Sequence, residues 1–231
     1  SVKPSTGRKA EGSIVAPDKP DPEFLSSFVR LVRQWLAQDN SRKLILVVGG
    51  GGPARAYQSA YKAVVPDGDN DQADWIGIMA TRLNAQLLKA IFADICPGDV
   101  VYDPTKVDIF AGRILVAAGW KPGFSTDNDA VYLAERFDAQ TVINLSNIAK
   151  VYTDDPRNNP EATPIDSISW ADFRKIVGDE WIPGKNVPFD PVASIHAQKA
   201  GISVICAAGR DIENLSAILD GKPFTGTTIT G

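Results

Sequence analysis

Apolar and polar positions alternate along the chain in two registers, one helical and one extended. The segment DPEFLSSFVRLVRQWL places Phe24, Leu25, Phe28, Leu31, Val32 and Trp35 on one stripe at helical spacing. Asp21 can cap that helix, and Pro22 suits its first turn. The unbroken apolar run KLILVV at 43–48 reads as a buried strand. A helix is predicted over 53–64, entered directly from a run of glycines. A longer one is predicted over 72–95, with Ile76, Met79, Leu83, Leu87 and Ile91 on one face. Strands are predicted at 99–102, 113–117 and 140–146, and a helix at 128–137. Ser169 with Asp172 forms a short capping box ahead of a helix to Val177. Asp190-Pro191 opens another helix that Gly201 closes, and ISVICAAG is the last strong strand.

Strand-helix alternation with continuously apolar strands indicates an α/β protein whose mostly parallel sheet is covered on both faces. No repeat or clean linker divides the 231 residues. The expectation is one domain over 1–231 with two lobes, the Pro- and Asp-rich stretches 66–74 and 153–164 forming surface loops. Ligands of such sheets bind at the carboxyl ends of the strands.

Composition narrows the function more than the fold. Hydrophobic content of 44% and a mean hydropathy of −0.10 suit a soluble protein with a sizeable core. The net charge of −4 gives no basic excess, so nucleic acid is not an expected partner. No stretch is long and apolar enough for a membrane span, and the start lacks the apolar region of a signal peptide, so a cytoplasmic location is expected. Cys96 and Cys206 lie far apart without zinc-ligand spacing, and the sequence singles out no metal-ligating residue. The single histidine, His196, falls inside a predicted helix and reads as an ordinary helical residue. Without it no Ser-His-Asp or Cys-His scheme can be assembled, which argues against hydrolase chemistry of that kind.

The candidate chemistry begins at VVGGGGPARAY, 47–57. Gly49 to Gly52 follow a strand and precede a helix, the arrangement that builds an anion site from backbone amides and a helix N-terminus. Arg55 lies one turn in, where its fork can take a phosphate in bidentate fashion. A tight turn with a solvated arginine is the plainer reading. Gly49, Gly51 and Ala54 also fit a dinucleotide fingerprint, but the acidic residues downstream, Asp67, Asp69 and Asp71, sit in a loop rather than at a strand end. No Gly-Lys-Ser/Thr follows the glycines, so the ATPase P-loop is absent.

Three further segments act together with that loop. DWIGIMATRLNAQLL carries Asp74, Gly77, Thr81 and Asn84; PGFSTDNDA carries Phe124, Ser125, Thr126 and Asp127; NLSNIAKVYTDDPR carries Ser146, Asn147, Val151, Tyr152, Asp155, Pro156 and Arg157. With Gly49, Gly50, Gly51, Ala54 and Arg55, this combination resembles the uridylate (UMP) kinases of the amino acid kinase superfamily, nearest to their short archaeal-like branch. Matching order and spacing run from about Gly12 to the closing GTTIT.

The resemblance implies a three-layer α/β/α sandwich of the amino acid kinase, or carbamate kinase-like, kind. Its approximate lobes would be 1–139 for the monophosphate and 140–231 for ATP. It implies transfer of the γ-phosphate of ATP to UMP with Mg2+, in a homohexamer. Gly49, Gly50 and Arg55 would hold the UMP phosphate, Asp74 the ribose hydroxyls, and Thr81, Phe124, Ser125 and Thr126 would complete the acceptor site. Gly12, Ser13, Gly51, Ser146, Asn147, Tyr152 and Asp155 would line the ATP side, and Lys9, Arg55 and Asp127 would serve the transfer. Exposed apolar residues of the 24–35 helix would supply subunit contacts.

Each assignment has a plainer rival: Asp127 and Asp190 as helix caps, Asp155-Pro156 as a turn starter, Tyr152 as a half-buried aromatic. The chain also departs from the family pattern. Glu11 replaces a small residue beside the expected triphosphate, Pro4 to Gly7 are poor strand formers, and Ile195 stands where the family has a lysine. A sister kinase with another acceptor, or a relative that binds nucleotide without turnover, would accommodate those departures.

Overall fold

A computed structural model of the chain describes residues 6–10 as backbone, and residues 15–156, 158–180 and 187–231 in full. In chain order the elements are β1 (Thr6–Ala10), α1 (Pro22–Ala37), β2 (Leu44–Val48), α2 (Gly51–Val64), α3 (Asn70–Ile91), β3 (Ile114–Ala117), α4 (Thr126–Arg136) and β4 (Thr141–Ser146). They continue as β5 (Val151–Tyr152), β6 (Pro164–Ile165), β7 (Ser167–Ser169), α5 (Trp170–Val177), α6 (Pro191–Ala200), β8 (Ser203–Ala208), α7 (Ile212–Leu219) and β9 (Thr227–Thr230).

Seven strands form one sheet in the order β3-β2-β1-β4-β8-β9-β7. β3, β2, β1, β4 and β8 are mutually parallel, while β9 runs antiparallel to β8 and carries β7 on its outer edge. The alternating strands divide the core into two layers. Leu44, Leu46 and Val48 of β2 pack with α1, α3 and α7, whereas Ile45 and Val47 pack with α4, α5 and α6. A period of two on a strand buried on both faces requires that division. The sandwich expected from the sequence is therefore the one found.

Several boundaries differ for physical reasons. β1 forms despite its weak propensity, because it lies between β2 and β4 and pairs with both; propensity yields to a central position in the sheet. The segment 99–102 is no strand: Val101 alone bridges to Ala117, between Pro97 and Pro104. The chain after β8 adds β9, whose Ile229 is fully buried. The stripe on α1 is core throughout, from Phe24 to Trp35, so the apolar residues expected there for subunit contacts are not exposed.

Much of the exposed apolar surface lies on α2 and α3. The predicted core face of α3 is only partly inside: Leu87 and Ile91 pack against the core, while Met79 and Leu83 are 59% and 71% exposed. Its buried side is instead small and polar: Ala73, Gly77, Thr81, Asn84 and Ala85, joined by Ile78 and Leu88. Small residues let α2 lie close against α3, and hydropathy alone could not distinguish that face.

Candidate active site

A cavity of about 340 Å³ opens at the carboxyl ends of β2 and β3. One wall is the entry to α2, with Gly50, Gly51, Arg55 and Gln58; opposite stand Asp74, Gly77 and Thr81 of α3. The β3–α4 loop closes it with Lys121, Phe124, Ser125 and Thr126, and Asp190 lies at its edge.

The glycines serve the protein as well as the cavity. A Cβ on Gly52 would stand 2.0 Å from the carbonyl oxygen of Pro17, and one on Gly50 would stand 2.4 Å from the Ala54 Cβ. Gly51 has φ 61°, a conformation that favours glycine. α2 starts two residues earlier than expected, so the glycines are its first turn, with no side-chain cap at Gly50. Gly52 N–H donates to Ala16 O (3.0 Å), and Pro53 has no N–H to give. The positive end of the helix therefore faces the cavity with few protein partners. Arg55 is exposed, and its one hydrogen bond among the described residues runs from Nη2 to Pro17 O, 3.3 Å.

Asn84 holds the loop from behind: its buried Nδ2 donates to Gly49 O (2.9 Å) and Gly50 O (3.1 Å). Gly49 itself does not line the cavity. The Thr81 hydroxyl is already engaged, donating to Ile78 O (2.6 Å) and accepting from Gly119 N (2.8 Å). It ties α3 to the end of β3 and shapes the floor. Asp74 Oδ2 accepts from Gly123 N (3.2 Å), which anchors the closing loop. Phe124 is packed edge-on against Trp120 with centroids 4.8 Å apart, and Lys121 Nζ lies 4.1 Å from the Trp120 centroid.

Ser125, rather than Asp127, caps α4, accepting from Asn128 N at 3.2 Å. Asp127 sits behind the cavity wall, buried, where Oδ2 accepts from Asp190 N at 2.9 Å. Asp190 caps α6 by accepting from Ala193 N at 2.7 Å. Burial, then the like charge of Asp127, push the Asp190 carboxyl above the usual carboxylate range against the bonds it accepts.

A raised folded-state value means that the native state holds its proton more tightly than the unfolded chain. Stability is then lost as pH rises from about 4 through the folded value, and is level above it. Asp190→Asn keeps the cap and removes the charge. Thermal melts between pH 4 and 7.5 should show the variant gaining on the wild type as pH rises; a gap that shrinks with pH contradicts the assignment.

The expected ATP-side residues lie elsewhere. Ser146 ends β4, where its Oγ accepts from Ile148 N (3.2 Å), and Asn147 is exposed just beyond. Tyr152 is half-buried in β5, and Asp155 O receives the turn bonds of Asn158 and Asn159. The end of β4 adjoins the end of β1, where the sheet reverses its winding. Gly12 and Ser13, Glu11 and Arg157 lie outside the described residues, as does the side chain of Lys9. In register, Lys9 pairs with Asn144, whose buried Oδ1 has no hydrogen-bond partner among the described residues. Lys121, Gln58, Asn128 and Gly119 belong to the cavity without having been singled out in the sequence. Only Asn84 and Gly77, members of a matched motif, carried a signal.

An open, mostly parallel sheet with a helix N-terminus, an arginine and a carboxylate around one cavity at its carboxyl edge defines a phosphate-handling α/β protein. The chain matches the amino acid kinase family over residues 9–208 and belongs to it. A curated relative from Methanospirillum hungatei, named uridylate kinase, is 34% identical over 222 residues, 95% of this chain and 92% of that one. Another uridylate kinase, from Pyrobaculum neutrophilum, is 37% identical over 193 residues, covering 81% and 86%. The crystal structure of uridylate kinase from Archaeoglobus fulgidus superimposes with a TM-score of 0.82 at 28% identity, covering 98% of this chain and all of that one.

Proposed function

We propose that the protein transfers the γ-phosphate of ATP to UMP, giving UDP and ADP. The observation that carries this reading is the cavity, which sets Arg55 and a helix N-terminus on one wall and the Asp74 carboxylate on another. A nucleoside monophosphate offers the matching anion and hydroxyls, and the similarity to uridylate kinases over most of the chain supports uracil as its base.

Gly50, Gly51 and Arg55 hold the UMP phosphate, and Asp74 accepts from the ribose. Thr81, Phe124, Ser125 and Thr126 enclose the acceptor. On the 140–231 side Ser146, Asn147, Tyr152 and Asp155 line the donor, with Gly12 and Ser13 around its phosphates. The UMP phosphate is largely a dianion at neutral pH, so its oxygen needs no general base. The new bond to the γ-phosphorus forms as the bond to the β–γ bridging oxygen breaks, through a loose transition state that positive groups stabilise. Arg55 and Lys9 supply that charge, and Asp127 fixes the α6 entry beside it.

Magnesium would enter with ATP as part of that substrate and would neutralise charge on its phosphates. Among the described residues no group of three or more His, Cys, Asp or Glu side chains gathers as a metal site. No helix of the described residues is long and apolar enough to cross a membrane. A cytoplasmic role in pyrimidine nucleotide synthesis fits this reading. So does a homohexamer using the exposed face of Met79 and Leu83, which light scattering would test; a single copy at micromolar concentration removes the assembly.

The purified chain with Mg-ATP should release ADP with UMP and far less with CMP, AMP or isopentenyl phosphate. Turnover with another acceptor makes it a sister kinase. UMP binding without turnover makes it a binding relative, with Glu11 beside the triphosphate as the first suspect.

A further inference from the structure

We propose that Gln58 is a second ligand for the ribose of the acceptor, so that each of the two ribose hydroxyls has its own acceptor in the cavity. This rests on the nucleoside monophosphate reading above. Gln58 lies three residues after Arg55 on α2, on the same face, and lines the cavity beside Asp74 and Gly77. No matched motif contains it.

Its amide has a settled orientation. Nε2 donates to Ala73 O at 2.9 Å, and a carbonyl can only accept, so the nitrogen must face α3. Oε1 is thereby left as an acceptor, and no donor among the described residues meets it. The side chain is also held in place: a Cβ on Gly77 would stand 2.6 Å from Nε2, so the amide lies directly on the bare backbone of α3. A pre-positioned acceptor loses little freedom when a ligand arrives.

Asp74 has already committed Oδ2 to Gly123 N. A ribose brings two adjacent O–H donors, and Asp74 with Gln58 provides two neighbouring side chains to receive them. Removing one hydroxyl from the ligand leaves an oriented acceptor without its partner beside the bound nucleotide, a situation in which polar sites discriminate. The positions of Arg55 and Gln58 along α2 thus separate phosphate from sugar.

The test uses the full chain, its Gln58→Met variant and its Gln58→Glu variant. UMP, 2′-deoxy-UMP and 3′-deoxy-UMP are compared by calorimetric binding and, with Mg-ATP, by turnover. The wild type should prefer UMP over both deoxy compounds. Gln58→Met should bind UMP about tenfold more weakly, the loss of one hydrogen bond to a neutral acceptor. It should lose discrimination against one deoxy compound, keep it against the other, and leave kcat within about twofold. Gln58→Glu, which retains an acceptor but loses the Ala73 bond that positions it, should bind UMP more weakly than the wild type yet keep both preferences.

A Met variant that weakens all three ligands equally would show Gln58 to be only a tether between α2 and α3, and the proposal falls. It falls too if the wild type does not discriminate. Selective loss in binding without turnover in any variant would uphold Gln58 while removing the kinase reading. Absence of UMP binding in the wild type removes both.

Discussion

Arg55→Ala is expected to raise the KM for UMP by roughly tenfold to a hundredfold while the KM for ATP stays within about twofold. Hydrogen bonds to charged groups are worth about 1.5–3 kcal/mol, which sets that range. The side chain is exposed and bonded only to Pro17 O among the described residues, so its removal strands no buried group and the fold should persist. Arg55→Lys keeps the charge and loses the planar fork, and should recover only part of the deficit. Steady-state kinetics with each substrate varied in turn separate the two sites. A UMP KM that does not move in Arg55→Ala would remove the phosphate clamp from the mechanism. An equal rise for ATP would place the arginine between both nucleotides.

Gly52→Ala is expected to be the most damaging single methyl group in the site. Its Cβ would lie 2.0 Å from the backbone oxygen of Pro17 and 2.8 Å from the Asp18 Cα, neither of which is the end of a flexible side chain. The α2 entry must move away from segment 15–18, breaking the Gly52 N–H bond to Ala16 O. Overpacking of this kind costs about 3 kcal/mol at its upper range. For a chain of this length that is a fall in Tm of roughly 6–12 °C. UMP binding should be lost together with the displaced amides, whereas Arg55→Ala should leave Tm unchanged. Calorimetric melting with UMP titration distinguishes the two; wild-type Tm and UMP affinity in Gly52→Ala would show that the glycine is dispensable.

The two variants separate what was legible from what was not. That glycines at a strand end precede an arginine is written in the linear order, and that order by itself points to an anion site. That Gly52 makes room for Pro17, and Gly50 for Ala54, is not, because those contacts depend on where a distant or helical neighbour comes to rest. Ser125 and Asp127 show the same limit. Either could cap a helix by composition, and the helix boundary at Thr126 decided for Ser125, leaving Asp127 to receive Asp190 N across 63 residues.

Periodicity determined the alternation of helices and strands, the two-sided burial of the sheet and the core stripe of α1, since each follows from a repeat of 3.6 or 2 over consecutive residues. Motif spacing determined the family, and with it the residues Gly50, Arg55, Asp74 and Phe124 that meet around one cavity. Tertiary structure alone decided which face of α3 is inside, because Met79 and Leu83 are more apolar than the Gly77 and Asn84 that displace them. It alone placed β1 in the centre of the sheet, where pairing on both sides outweighs poor propensity. And it alone brought Gln58 against Ala73 and Gly77, a contact between two helices that no repeat within either could encode.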